Sequence, residues 1–247
     1  MRVIVAPDAE AMGRKACEIV LDALEGRPAP VLGLATGSTP LPLYAEMVKA
    51  NKEGRFDFST TITFNLDEYL GLPGDHEQSY RRFMDENLFN HININKANTY
   101  VPDGMTPDPE AFCAAYEAMI DDVGGVRMQV LGIGSNGHIA FNEPGSSLGS
   151  RTRVVDLDEQ TIEDNARFFE KKEDVPTQAL SMGIGTILEA ESIILLASGK
   201  NKTDAVKKAL EGPVTAMVPA SALQLHPDVT FVITADCAGE LTRRVEK

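Results

Sequence analysis

Long apolar runs are missing from this sequence. None approaches the ~18 residues that a membrane-spanning helix needs. The opening MRVIVAPDAEAMGRK has too short an apolar stretch for a secretory signal and reads as a strand entering a helix. Cysteine is scarce: Cys17, Cys113 and Cys237 are odd in number, far apart and without C-x-x-C spacing. That argues against a disulfide framework and a zinc site, and predicts a reducing, cytoplasmic setting. Positive charge is short as well, with 23 Lys and Arg against 37 Asp and Glu and a formal net charge of −14. Such a balance disfavours nucleic acid and acidic membranes as main partners. It leaves room for an anionic small molecule, because a few cations and backbone N–H groups can build a local anion site. Internal repeats, low-complexity tracts and Ser/Gly linkers are lacking too, so one domain over residues 1–247 is expected.

What is present is an alternation. RVIVA, PVLGLA, TTITFNL, RMQVLGIG, SIILLAS and VTFVIT read as buried strands, and RTRVVDL as a further one. Between them lie helical patterns: DAEAMGRKACEIVLDALEG, TPLPLYAEMVKANKEG, SYRRFMDENLFNHI with Ser79 as N-cap, DPEAFCAAYEAMIDDVGG with Pro109 in its first turn, EQTIEDNARFF and KTDAVKKALEG. Strands separated by helices of about ten or more residues predict an α/β fold: a mostly parallel sheet with helices on both faces. Ligands of such folds sit beyond the C-terminal ends of the strands.

Three post-strand stretches stand out. LGIGSNGHIAFNEPG carries Gly132, Gly134 and Gly137 in G-x-G-x-x-G spacing. A dinucleotide turn must open directly into a helix, and Pro144 and Gly145 disfavour one here, so the glycines are expected to let backbone pass close to a ligand. Asn136, His138, Asn142 and Glu143 fall within the same stretch. They fit a turn-rich surface loop, or a histidine whose tautomer is set by a carboxylate. GLATGSTPLPLYAEM places Thr36, Gly37, Ser38 and Thr39 before Pro40. This is either an ordinary capped helix or a cradle of N–H groups and hydroxyls for an anion, without the G-K-[ST] of a nucleotide loop. Lys202 and Arg167 could close that pocket or be solvated surface charges. FNLDEYLGL ends a strand with Asp67 and Glu68; one side chain would face the pocket and the other buttress the loop. His76 and His91 read as surface residues.

Taken together, GLATGSTP, FNLDEYLGL followed by HEQSY, and LGIGSNGHIAFNEPGSSLGSRTR closely resemble the glucosamine-6-phosphate deaminase (isomerising) family. The likeness continues through TQALSMGIGTILEAESIILLASGKNK and SALQLHP, over nearly the whole chain. The resemblance implies a Rossmann-like fold. It also implies conversion of glucosamine 6-phosphate and water to fructose 6-phosphate and ammonia, without a metal or organic cofactor. By position, Asp67 matches the base that moves a proton between C2 and C1. His138 matches the group that opens the pyranose, and Glu143 its carboxylate partner. Asn136 stands where many members have Asp. The phosphate would sit on Thr36–Thr39, with Lys202 and Arg167 as clamps, and Gly132 would let the strand end approach the sugar. A segment near RFFEKKEDVP is expected to act as a lid.

Some members of the family are hexamers activated by N-acetylglucosamine 6-phosphate, using a Lys two positions after the second Arg of SRTR. Here Arg153 is followed by Val154 and Val155, and the sequence ends at ELTRRVEK. A monomer or homo-oligomer without allosteric activation is therefore expected. Two rivals remain at this stage: a 6-phosphogluconolactonase, which needs no C2 base, and the sugar-phosphate-sensing domain of a transcription regulator. The LDEY and HIAFNEP runs favour the deaminase over the first. The immediate core strand and the acidity disfavour the second.

Overall fold

Seven strands line up in the order β1-β10-β9-β6-β2-β3-β5, and every registered pair among them is parallel. They are β1 (Arg2–Ala6), β2 (Val31–Leu34), β3 (Ile62–Asn65), β5 (Thr99–Tyr100), β6 (Met128–Leu131), β9 (Ser192–Ala197) and β10 (Val229–Thr234). The described α-helices are α1 (Ala9–Leu24), α2 (Leu41–Lys52), α3 (Tyr80–Met84), α4 (Pro109–Asp122), α5 (Ile184–Leu188) and α6 (Thr203–Glu211). This computed structural model describes residues 1–158, 162, 169, 171, 175–242, 245 and 246. Most of the expected helix EQTIEDNARFF, Arg167 included, and most of the expected lid fall outside the described residues.

Local chemistry accounts for the helix ends. The Asp8 carboxylate accepts the N–H of Ala11 at 2.7 Å to cap α1, Ser79 accepts that of Arg82 to cap α3, and Asp108 accepts that of Ala111 to cap α4. Pro109 opens α4 as expected, whereas Pro40 sits one residue before α2, as its N-cap. Strands β2, β6, β9 and β10 are buried at every residue, as parallel strands covered on both faces must be. On one face Phe64 of β3 stacks on Tyr100 and meets Tyr116 of α4 edge-on. α1 and α2 pack so closely that Gly13 leaves no space for a side chain against Pro42.

One part of the architecture is new relative to the sequence reading. A second, antiparallel sheet, β4-β8-β7, joins Asp67–Tyr69, Gln178–Ser181 and Arg153–Asp156. RTRVVDL is thus a strand, but not of the main sheet, and the acidic stretch after β3 is a strand before it is a loop. The small sheet has its own apolar cluster of Tyr69, Leu72, Phe141, Leu157 and Ala179, with Tyr80 and Phe169 against it. Phe141 comes from the Gly-rich stretch, so this cluster ties that loop to the small sheet.

Sheet order locates the binding region. From β2 the chain steps outward to β3 and β5, then returns to lay β6 on the other side of β2 and continues to β9 and β10. Between β2 and β6 the strand order reverses, which opens a crevice above their C-terminal ends.

Candidate active site

Four adjacent strands, β9-β6-β2-β3, deliver the expected site residues other than Arg167 from their C-terminal ends. β2 leads to Thr36–Thr39, β6 to the Gly132–Glu143 loop, β3 to Asp67, and β9 to the turn Lys200–Lys202. The first two flank the reversal point.

The turn after β2 suits an anion. Gly37 adopts φ +94, which folds the chain back on itself at no cost to a residue without Cβ. Pro40 and Pro42 contribute no N–H, no acidic residue lies in the first turn of α2, and no side chain caps the helix. The donors available to a ligand are therefore the N–H groups of Gly37, Ser38 and Thr39 and the hydroxyls of Thr36, Ser38 and Thr39. Among the described residues none of these has a hydrogen-bond partner. Beneath the turn, the buried Tyr44 hydroxyl donates to the carbonyl of Ala35 and fixes where it starts. Lys202 is half-buried at the start of α6, its N–H bonded to the carbonyl of Gly199 at 3.0 Å.

The Gly-rich loop is organised around its histidine. Nδ1 of His138 lies 3.3 Å from Oε2 of Glu143, an ion-pair distance without hydrogen-bond alignment. Asn136 bridges the pair: its amide donates to Glu143 Oε2 at 2.7 Å, and its carbonyl accepts the N–H of His138 at 3.1 Å. The three glycines have different surroundings. A Cβ on Gly134 would run into the imidazole of His138; Gly137 needs φ +91 and has Val218 against it; a Cβ on Gly132 would meet open space. For Gly134 the expectation is corrected: the group it makes room for is a side chain of its own loop, not a ligand. Gly137 is followed by turns and a β-bridge between Ile139 and Asn142, so no helix begins there. Ala140, at φ +49, is the one non-glycine residue with positive φ among the described residues.

Asp67 and Glu68 are both buried, and their surroundings differ. Glu68 accepts three backbone N–H groups: Oε1 those of Tyr69 and Tyr80 at 2.9 and 3.0 Å, Oε2 that of Arg81 at 3.0 Å. It buttresses the start of α3. Burial raises its pKa, and those bonds pull it part of the way back. No described donor bonds Asp67. Its burial, and next the charge of Glu68, push its pKa up to about 8. Of the two carboxyls, Glu68 is thus the one engaged in bracing the loop, and Asp67 the one without a described donor.

The small sheet brings Asp67 to the histidine loop. Asp67 pairs directly with Ser181, whose hydroxyl accepts the N–H of Phe141 at 3.1 Å. The next residue, Met182, donates its N–H to Leu66 and accepts the amide of Asn142 at 2.8 Å. Phe141 and Asn142 follow His138 by three and four residues. Ser181 carried no sequence signal: β8 is four residues long and its polar hydroxyl resembles any turn serine. Of the other histidines, His91 is exposed, whereas His76 is half-buried with its ring over Phe169, so the surface reading holds only for the first. A cavity of about 560 Å³, lined by Leu24, Arg27, Pro30, Arg55, Asp57 and Thr60, opens at the opposite rim, away from these groups. No described helix is long and apolar enough to cross a membrane.

Comparison with known proteins identifies the family. The family model of glucosamine-6-phosphate isomerases/6-phosphogluconolactonase matches residues 7–232. A glucosamine-6-phosphate deaminase of Alkaliphilus oremlandii is 54% identical over 98% of this chain and 100% of its own length. A solved monomeric glucosamine-6-phosphate deaminase superposes with a TM-score of 0.94 at 44% identity, over 97% of this chain and 99% of that one. A 6-phosphogluconolactonase from Trypanosoma brucei shares the fold, with a TM-score of 0.78 at 21% identity over 98% of each chain. The chain belongs to the glucosamine-6-phosphate isomerase/6-phosphogluconolactonase family, and within it to the glucosamine-6-phosphate deaminases.

Proposed function

We propose that the protein converts glucosamine 6-phosphate and water to fructose 6-phosphate and ammonia. The observation that carries this reading is the pairing of Asp67 with Ser181, which sets a buried carboxyl beside the loop that holds His138 and Glu143. Two proton-transfer groups on one rim suit a reaction with two proton-transfer sites on neighbouring carbons.

The phosphate is held by the N–H groups and hydroxyls of Thr36–Thr39 and by Lys202, with Arg167 as a further clamp. The N-terminus of α2 adds ~0.3–1 kcal/mol or more. Gly132 leaves open space where the sugar approaches the end of β6. His138, oriented by Asn136 and Glu143, takes the proton from the O1 hydroxyl and returns one to O5, which breaks the C1–O5 bond and frees the C1 carbonyl. That carbonyl acidifies C2–H. Asp67 removes the C2 proton to form a cis-enolamine and delivers a proton to C1, leaving an imine at C2. Water adds to the imine carbon and ammonia departs. A raised pKa suits a base that must also give its proton back. The whole chain acts as one unit on this small sugar phosphate. With Val154 and Val155 after Arg153, it works without activation by an acetylated sugar phosphate.

Ammonia release from glucosamine 6-phosphate, measured in a coupled assay with no added metal, tests the reading. Turnover with a hyperbolic rate curve, unchanged by N-acetylglucosamine 6-phosphate, is expected. Hydrolysis of 6-phosphogluconolactone without ammonia release, or binding of the sugar phosphate without turnover, would overturn it.

A further inference from the structure

Arg153 occupies an unusual position for its charge. It is half-buried on β7, and among the described residues no carboxylate pairs with it. Arginines that deep are ordinarily paired. Instead Nη1 donates to Oδ1 of Asn142 at 2.9 Å, with a longer contact of 3.4 Å to the carbonyl of Arg151. Asn142 is fully buried, and its amide is committed to the carbonyls of Ile139 at 3.0 Å and Met182 at 2.8 Å. The guanidinium thus closes the remaining side of a carboxamide that clamps the His138 loop.

Register shows what the loop is clamped to. Arg153 pairs with Ser181 across β7 and β8, and Ser181 pairs with Asp67 across β8 and β4. Directly opposed residues in antiparallel strands carry their side chains on one face. Arg153, Ser181 and Asp67 therefore form a single row, and the loop lies across it: Phe141 N–H on the Ser181 hydroxyl, Asn142 on the Arg153 guanidinium. Between His138 and these two anchors sits Ala140 at φ +49, a conformation that a residue with Cβ keeps only when its surroundings hold it. Releasing either anchor lets Ala140 relax, and His138 moves with it.

We propose that Arg153 and Ser181 are positioning residues which, through Asn142 and Phe141, set the place of His138 relative to Asp67. This rests on the reading of those two groups as the proton-transfer pair. Nη1 of Arg153 is already engaged by Asn142 and the carbonyl of Arg151, so its loss is expected to act on turnover more than on binding.

Steady-state kinetics on glucosamine 6-phosphate, with thermal unfolding of each variant, test the proposal. Arg153→Met and Ser181→Ala are expected to lower kcat by about 10- to 100-fold and about 5-fold respectively, because misplacement by an ångström is costly in proton transfer. KM should stay within about 3-fold for both. Arg153→Lys, which keeps a donor to Asn142, should recover much of the loss. Ala140→Gly guards against a folding artefact: glycine takes positive φ freely, so Tm should hold or rise while kcat falls. The proposal is overturned if Arg153→Met and Ala140→Gly both keep kcat within about twofold of the parent. It is equally overturned if the kcat loss only follows the fraction unfolded. A parent chain that releases no ammonia defeats the functional reading instead, which separates the two failures.

Discussion

Between Gly134 and His138 there is no room for a methyl group. The imidazole lies against the glycine backbone, and any Cβ there would occupy the space of its Cε1 and Nδ1. Gly134→Ala is expected to cost ~1–3 kcal/mol in stability, as overpacking does. Turnover should fall by about 10-fold or more, because the ring must leave its place beside Glu143. Urea unfolding and steady-state kinetics measure the two effects separately.

Asp67→Asn removes the proposed base and preserves the shape. Turnover of glucosamine 6-phosphate should drop by ~10²-fold or more with KM little changed. Stability should move as well. The pKa of Asp67 in the folded chain, about 8, lies above the ordinary carboxyl value. The stability this contributes is fully present below that ordinary value and is lost as pH rises through about 8. The Asn variant should therefore gain on the parent between about pH 5 and about pH 9. Denaturant midpoints at the two pH values check the sign.

The pH profile of the parent follows from the same group. A base must be ionised, so kcat/KM should fall as pH drops, along a limb with apparent pKa near 8. In the proposed complex the ammonium at C2 of the substrate would lie beside the carboxylate and favour its charged form. The acid limb of kcat should accordingly lie at lower pH than that of kcat/KM. Coincident limbs would mean that the base does not meet the amine.

Lys202→Ala tests the phosphate end. A residue that binds ground state and transition state alike changes KM alone, and a rise of about 10-fold with kcat retained is expected. A fall in kcat instead would assign Lys202 to the chemistry.

Glu117 is a structural counterpart to these groups. It receives the N–H of Thr152 at 2.7 Å, the hydroxyls of Thr152 and Thr186, and Arg151 at 2.6 Å. Burial pushes its pKa up, but those partners outweigh it and hold the carboxyl below its usual value. Its stabilising contribution is present above the ordinary carboxylate range and lost as pH falls through the lowered value. Glu117→Ala should cost about 2–4 kcal/mol at neutral pH and less in acid. Thermal melts across the acid range read this out.

Much of the main sheet was legible because buried parallel strands such as SIILLA and VTFVIT announce themselves by unbroken apolar runs. β4, β5 and β8 were not. They have two to four residues, too few for a period to show, and their partners lie far away in sequence. The small antiparallel sheet escaped for that reason, and with it the route by which Asp67 meets the His138 loop. The candidate residues themselves were legible as types, since a histidine four residues after a glycine and a paired Asp-Glu are uncommon after strands. What each glycine accommodates was not, because that depends on which side chain folds back onto it.

The small sheet carries a consequence for durability. Its strands are three and four residues long, against up to six in the main sheet, and they join Asp67 to the loop of the imidazole. Short ladders fray before long ones. Warming should thus silence the enzyme some degrees before circular dichroism registers any melting, and cooling from that interval should restore it.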